Sequence, residues 1–167
     1  MSTFSLICTE EHEAALRAAL FETAGVEGAA YVLFKEARIG ADPWDRRAHT
    51  KLLVLDVIPI VPMSASAKHV TWDTKTFVAL LQRSQKDELV IGIAHSHTGT
   101  LEDFSSQDDD NEAELFRTAA TRNGAEAKLV SMLFCAKGHI RARVWQYPKH
   151  KTMARAVTVI GERIQIH

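Results

Sequence analysis

No stretch of the 167 residues has the roughly 20 consecutive apolar residues that a membrane helix needs. The longest apolar run, 52–62, is broken by Asp56 and Pro59. No sign of charge dominates either: 20 Lys and Arg stand against 21 Asp and Glu, for a formal net charge of -1. Binding driven by counterion release needs a dense cationic surface, so this balance argues against nucleic acid or an anionic membrane as the main partner. Cysteine is scarce, with Cys8 and Cys135 far apart in apolar, strand-like surroundings. That usage fits buried reduced thiols and not a disulfide framework. The N-terminus has no positive charge ahead of its short apolar patch and no small-residue cleavage site, so it does not read as a signal peptide and a cytoplasmic location is expected. There is no repeat, low-complexity tract or Gly/Ser/Pro linker, which leaves a single domain over 1–167 as the expectation.

What the sequence does contain is ordinary globular material, 46% hydrophobic and 25% charged, long enough to bury one substantial core. Thr9 can cap a helix running to about Thr23, with Ala15, Leu16, Ala19 and Leu20 at helical spacing and Gly25 just past its end. A buried strand follows over 29–34, and a β-branched run over 51–61 pairs with it, Pro59 marking a bulge or an edge. Asp73 or Thr74 caps a second helix whose Phe77, Leu80 and Leu81 share a face. The apolar run 89–94 is a short buried strand aimed at His95. A third helix starts near Ser105, turns Leu115, Phe116, Ala119 and Ala120 inward, and ends at Asn123-Gly124. Residues 128–135 and 140–147 form a hairpin. In the tail, 154–160 fits either helix or strand, and 163–167 alternates like a strand. The fold class expected from this order is α/β, an α+β sandwich with a central mixed β-sheet flanked by helices.

The chemistry gathers where the strand over 89–94 ends. Residues two apart in a strand project to one side, so His95 and His97 can face one metal ion. Catalytic zinc takes three protein ligands and keeps a fourth position for water. Asp108, in the run Ser105-Ser106-Gln107-Asp108 at the next helix start, supplies the third after a loop containing Gly99. Each piece has a plainer meaning, since S-x-x-D is also a helix capping box and strand-end histidines are often only polar loop residues. Together, however, His-x-His, seven residues, then Ser-x-x-Asp arises by composition in about one chain in a thousand of this size.

Other polar groups have ordinary explanations. Asp109 and Asp110 are favourable charges at a helix N-terminus. His12, His49, His69, His139, His150 and His167 lack a second ligand at useful spacing. Ser96 points away from the metal, and Trp44, Trp72 and Trp145 read as core. A zinc deaminase needs H-x-E and a Pro-Cys-x-x-Cys pair, which are absent, and a serine hydrolase lacks its nucleophile elbow.

The constellation resembles the JAMM signature of the JAB/MPN metalloproteases, H-x-H-P, a loop, then S-x-x-D, with a catalytic Glu far upstream. Here it stands as His95-Ser96-His97-Thr98, residues 99–104, and Ser105-Ser106-Gln107-Asp108, with Glu27 between the first helix and a strand. Thr98 replaces the usual Pro, and the Glu27 segment lacks the Pro-x-Glu and Gly-Gly pieces of eukaryotic members. The Glu27 context, Val70-Thr71-Trp72-Asp73 and Val144-Trp145 are similar to the prokaryotic JAB branch, in particular to domains beside or fused to E1-like proteins in bacterial ubiquitin-like conjugation operons. The resemblance implies a JAB/MPN-like, cytidine-deaminase-like domain with Zn2+ held by His95, His97 and Asp108. It implies Glu27 as the proton acceptor and later donor, and Ser105 can donate to the oxyanion. The implied partners are a ubiquitin-like protein and its conjugates, with E1-like and E2-like proteins of the same operon; neither nucleic acid nor membrane is expected. A sulfur-carrier processing peptidase and a non-catalytic scaffold module are the alternatives.

Overall fold

The computed structural model of the protein describes residues 3–41, 46–60, 74–147, 150–162 and 164–167. In chain order these form β1 (Thr3–Thr9), α1 (Glu10–Leu20), β2 (Ala29–Ile39), β3 (His49–Pro59), α2 (Thr74–Lys86), β4 (Leu89–His97), α3 (Ser106–Asn123), β5 (Lys128–Cys135), β6 (Ile140–Gln146), β7 (His150–Met153), β8 (Val157–Ile160) and β9 (Gln165–Ile166). The strands make one mixed nine-stranded sheet in the order β7-β6-β5-β4-β2-β3-β1-β8-β9. The sheet is curled. The Ala154 N–H bonds to Ala142 of β6 and the Arg155 N–H to Phe4 of β1, so one short segment bridges strands that lie far apart in the sheet order.

Strand alternation divides the core in two. Ala30, Val32 and Phe34 of β2 face α1, where Leu16 and Leu20 complete the first cluster. Tyr31 and Leu33 face the other way, onto Phe77 and Leu81 of α2 and Leu115 and Phe116 of α3. Because both faces of β2 are covered over 29–34, that half of the strand reads as an unbroken apolar run, whereas 35–39 beyond it carries Lys35, Glu36 and Arg38. The expected pairing of β2 with β3 is antiparallel, the expected hairpin is β5-β6, and α3 ends at Gly124 with φ 88°, a conformation suited to glycine.

Several elements depart from their sequence expectation or go beyond it. The strand-like surroundings of Cys8 are indeed a strand, β1, for which the pattern alone sets neither bounds nor a place in the sheet; it lies parallel between β3 and β8, and its last residue, Thr9, also caps α1. Helix α1 stops at Leu20 and not near Thr23, because the Ser96 hydroxyl takes the Leu20 carbonyl and Gly28 packs against it. The β2-β3 register shift lies at Leu33/Phe34, opposite 54–56, and not at Pro59. Ile60 directs its N–H to Ala29 of β2, so the preceding residue, Pro59, has its missing donor on the far side of the strand, where β1 no longer runs. β4 continues through His97 because its ladder with β5 runs to His97 opposite Cys135. Of the two options for 154–160, strand wins over 157–160: Val157 and Val159 enter the first core while Thr158 points outward. The cap assigned to Asp73 or Thr74, together with Trp44, Trp72, His69 and the Val70–Asp73 run, falls outside the described residues and side chains.

Both cysteines are free and buried, and burial, followed by the nearby Glu13 carboxylate, pushes the Cys8 thiol up to about 11. Burial also raises Cys135. The thiolate is the reactive form. Neither cysteine is therefore expected to react with a disulfide reagent at pH 8 in the native protein, and both are expected to react after unfolding; a thiol titrated within seconds in native buffer would contradict this packing. Among the described residues, no helix is long and apolar enough to cross a membrane.

Candidate metal centre

On β4, Ile91 and Ile93 face α2 and α3, and the same alternation carries His95 and His97 onto that face at the strand's end. The next helix starts directly above them. Ser105 is its N-cap and Asp108 its third residue, in a capping box in which the Ser105 hydroxyl accepts from the Asp108 N–H at 3.2 Å. The Ser105 N–H and hydroxyl both donate to Asp108 Oδ2, at 2.6 and 2.7 Å. The cap thus does two things at once: it ends the strand-to-helix loop and fixes the direction of the carboxylate.

His95 Nε2 lies 3.2 Å from Asp108 Oδ1, and His97 Nε2 lies 3.3 Å from Asp108 Oδ2. One ligand atom from each of the three residues falls within 4.8 Å of the others. His95 Nε2 is buried and makes no hydrogen bond with proper geometry, despite the carboxylate beside it. A buried imidazole nitrogen with no hydrogen-bond partner, beside a carboxylate oxygen, is what a metal site presents. Two imidazoles and one carboxylate also match the donor sets of catalytic zinc sites, with a fourth position left open. The residues therefore fit a metal ion such as zinc. Burial alone would raise the Asp108 carboxyl, but the adjacent His95 imidazole and the hydrogen bonds donated by Ser105 outweigh it and hold the group well below the usual carboxylate range.

His95, His97 and Asp108 line a cavity of about 540 Å³ together with Glu27, Ser105 and Gln107. Glu27 is exposed at its mouth, one residue before Gly28. Ser96 holds that segment from the opposite face of β4. Its hydroxyl accepts from the Gly28 N–H at 3.0 Å and donates to the Leu20 carbonyl at 2.8 Å, and its own N–H donates to the Gly28 carbonyl. A Cβ on Gly28 would lie 2.6 Å from the Leu20 oxygen, so only glycine allows the approach. Thus Ser96 points away from His95 and His97, as its position in the alternation requires, and ties the Glu27 segment to the strand that carries them.

Of the other histidines, His12 completes the α1 capping box, His49 bonds to Ser5 at 2.8 Å, and His139 lies 3.7 Å from Glu102. Asp109 is more than a helix-terminus charge, because Arg143 and Lys151 both pair with it. Trp145 is buried as expected, with its indole N–H on Glu112 at 2.6 Å. Glu112 and Arg143 escaped the sequence reading, although a Glu on the inward face of α3 and an Arg sharing a strand face with Trp145 were visible signals.

The sequence profile described as prokaryotic homologs of the JAB domain matches residues 9–146. The chain belongs to this family. The fold of this JAB domain is similar to the solution structure of protein DSY2949 from Desulfitobacterium hafniense, with a TM-score of 0.58 at 15% identity over 94% of each chain. The N-terminal domain of STIL from Trichoplax adhaerens aligns at 12% identity over 83% of this chain and 40% of that one, with a TM-score of 0.33, too low to bear on the fold. No curated protein sequence matches the chain. The JAB domain carries the His-His-Asp group of the family resemblance intact, in a geometry that could hold a metal ion.

Proposed function

We propose that this JAB domain is a zinc-dependent peptidase and isopeptidase that cleaves after the C-terminal Gly of a ubiquitin-like protein in a bacterial modification system. The observation that carries the proposal is the presence of His95, His97, Asp108 and Glu27 around one cavity. His95, His97 and Asp108 would hold the zinc, which when bound would supply Lewis acidity toward a carbonyl and a water molecule. Glu27 takes the proton from the attacking water and passes it to the leaving amine, as a carboxylate near but outside the ligand set can. Ser105 keeps Asp108 directed at the site. Its hydroxyl proton points at Asp108 Oδ2, so stabilising an oxyanion requires the hydroxyl to turn away from its ligand.

The substrate assignment draws on an open strand edge. β3 pairs with β1 only as far as Leu53 opposite Ile7, so beyond the shift at Leu55 its outer edge has no strand partner among the described residues. The open stretch is 55–60, shorter than the whole 52–62 run. It ends beside Ala29, which is paired with His95, so an extended tail added there would run toward the ligands. Main-chain hydrogen bonds would hold the tail, and small Gly residues suit the approach to the metal. E1-like and E2-like proteins of the same system are the natural suppliers of its conjugates.

The zinc-loaded protein is expected to cleave a ubiquitin-like fusion immediately after its last Gly, to lose activity to a chelator, and to regain it with zinc. Peptide and isopeptide leaving groups should both be accepted, covering precursor processing and deconjugation. Changing the last Gly to Val should suppress cleavage by mass spectrometry. Equal cleavage of both fusions, or digestion of an unfolded casein-like chain, would make this a general peptidase. A protein that holds no zinc and hydrolyses no such fusion would instead be a scaffold module.

A further inference from the structure

Behind the ligand carboxylate lies a buried charge cluster that neither the family motif nor the proposed chemistry uses. Glu112 stands four residues after Asp108, on the next turn of α3, and is only 2% exposed. Its Oε1 accepts from the Ser131 hydroxyl of β5 at 2.6 Å, and its Oε2 from Arg143 Nε and Trp145 Nε1 of β6 at 2.8 and 2.6 Å. Arg143, 4% exposed, reaches further. Its Nη1 donates to Asp109 at 2.7 Å, and its guanidinium lies 3.8 Å from the centre of the Phe104 ring. Phe104 immediately precedes the N-cap Ser105, and its ring centre is 6.0 Å from that of His95.

One cation from β6 thus grips α3 at two points just past Asp108, through Asp109 and Glu112, and on the near side holds Phe104, the residue that leads into the helix and flanks His95. The sheet register makes this possible: Arg143 pairs with Ser131, and Ser131 with Ile93, two residues before His95 on the same strand face. The planar, forked guanidinium is suited to bridging two carboxylates while stacking on a ring, which an ammonium cannot do.

We infer that Arg143, with Glu112 as its buried counterion, is a positioning residue that sets the angle of the α3 N-terminus and so brings Asp108 and His95 to the distance at which they share a metal ion. The inference rests on the metal-binding reading of the site, and it makes a demand on affinity beyond stability. Partners one step removed from metal ligands are typically worth ten- to hundredfold in affinity.

The deciding variant is the double Glu112→Gln/Arg143→Met, which removes both charges and so leaves no unpaired ion in the core. Zinc affinity is read by competition with a chromophoric chelator, alongside the thermal midpoint and the visible spectrum of the cobalt-substituted protein. The expected result is a folded protein binding zinc about tenfold or more weakly, with an altered cobalt spectrum. If the double variant does not fold, Arg143→Lys decides, since it keeps the charge but cannot bridge Glu112 and Asp109, and it too should bind zinc more weakly. Lys151→Ala, which removes only the exposed partner of Asp109, should leave affinity unchanged. A lowered thermal midpoint with wild-type zinc affinity and cobalt spectrum would reduce the cluster to a packing element and overturn the inference. Failure of the wild-type protein itself to bind zinc would instead overturn the metal reading, and the positioning role with it.

Discussion

His97→Ala is expected to yield a folded protein with little or no bound zinc. The substitution leaves two ligands where a catalytic site uses three, and the lost imidazole is the one facing Asp108 Oδ2 at 3.3 Å. The fold does not hang on this ring. Its two hydrophobic clusters are built from the sheet and all three helices, and none of their members is a ligand. Metal binding adds to stability by mass action, so relative to the zinc-loaded parent the variant should melt a few degrees lower while keeping its far-ultraviolet circular dichroism. Elemental analysis together with dichroism checks both halves of the expectation. Full zinc occupancy in this variant would remove His97 from the ligand set.

Glu27→Ala should separate chemistry from binding in the opposite sense. Glu27 is exposed at the cavity mouth, and its segment is anchored through the Gly28 backbone on Ser96, so its removal should leave zinc content and melting temperature unchanged. A positioned general base contributes about 10² to 10⁴ in rate, and a loss in that range is expected in kcat on a ubiquitin-like fusion with little change in KM. Loss of zinc from this variant would make Glu27 a ligand and require the roles to be redrawn. Ser105→Ala offers a contrast. It removes a helix N-cap, at about 1 kcal/mol, along with one of the bonds directing Asp108, and should lower stability measurably while reducing turnover less than Glu27→Ala does.

The ligand group could be read from the sequence because each of its parts is a local pattern. Alternation along one strand puts His95 and His97 on one face and Ser96 on the other, whichever strands lie alongside. The S-x-x-D capping box places Asp108 in the first turn of a helix, whatever that helix packs against. Helix and strand periods likewise marked the inward faces of α1, α2 and α3 and the two-sided burial of β2. Patterns of this kind depend on backbone geometry within a few residues, so the sequence alone determines them.

The rest depended on neighbours distant in the chain. β1 is a strand because β3 and β8 supply parallel partners on both sides, and no local signal specifies a parallel ladder. α1 ends at Leu20 because a serine 76 residues away claims that carbonyl. The buried pairing of Glu112 with Arg143 joins residues 31 apart, and an isolated Glu or Arg in a sequence gives no measure of whether a counterion will be waiting in the core. Among the described residues, β3 has no outer strand partner over 55–60, because its ladder with β1 ends at Ile7, just before β1 gives way to α1. Local pattern alone places His95, His97 and Asp108 at the candidate metal centre; the register and curl of the sheet decide what holds those side chains in place, because burial and charge pairing depend on how strands remote in sequence line up.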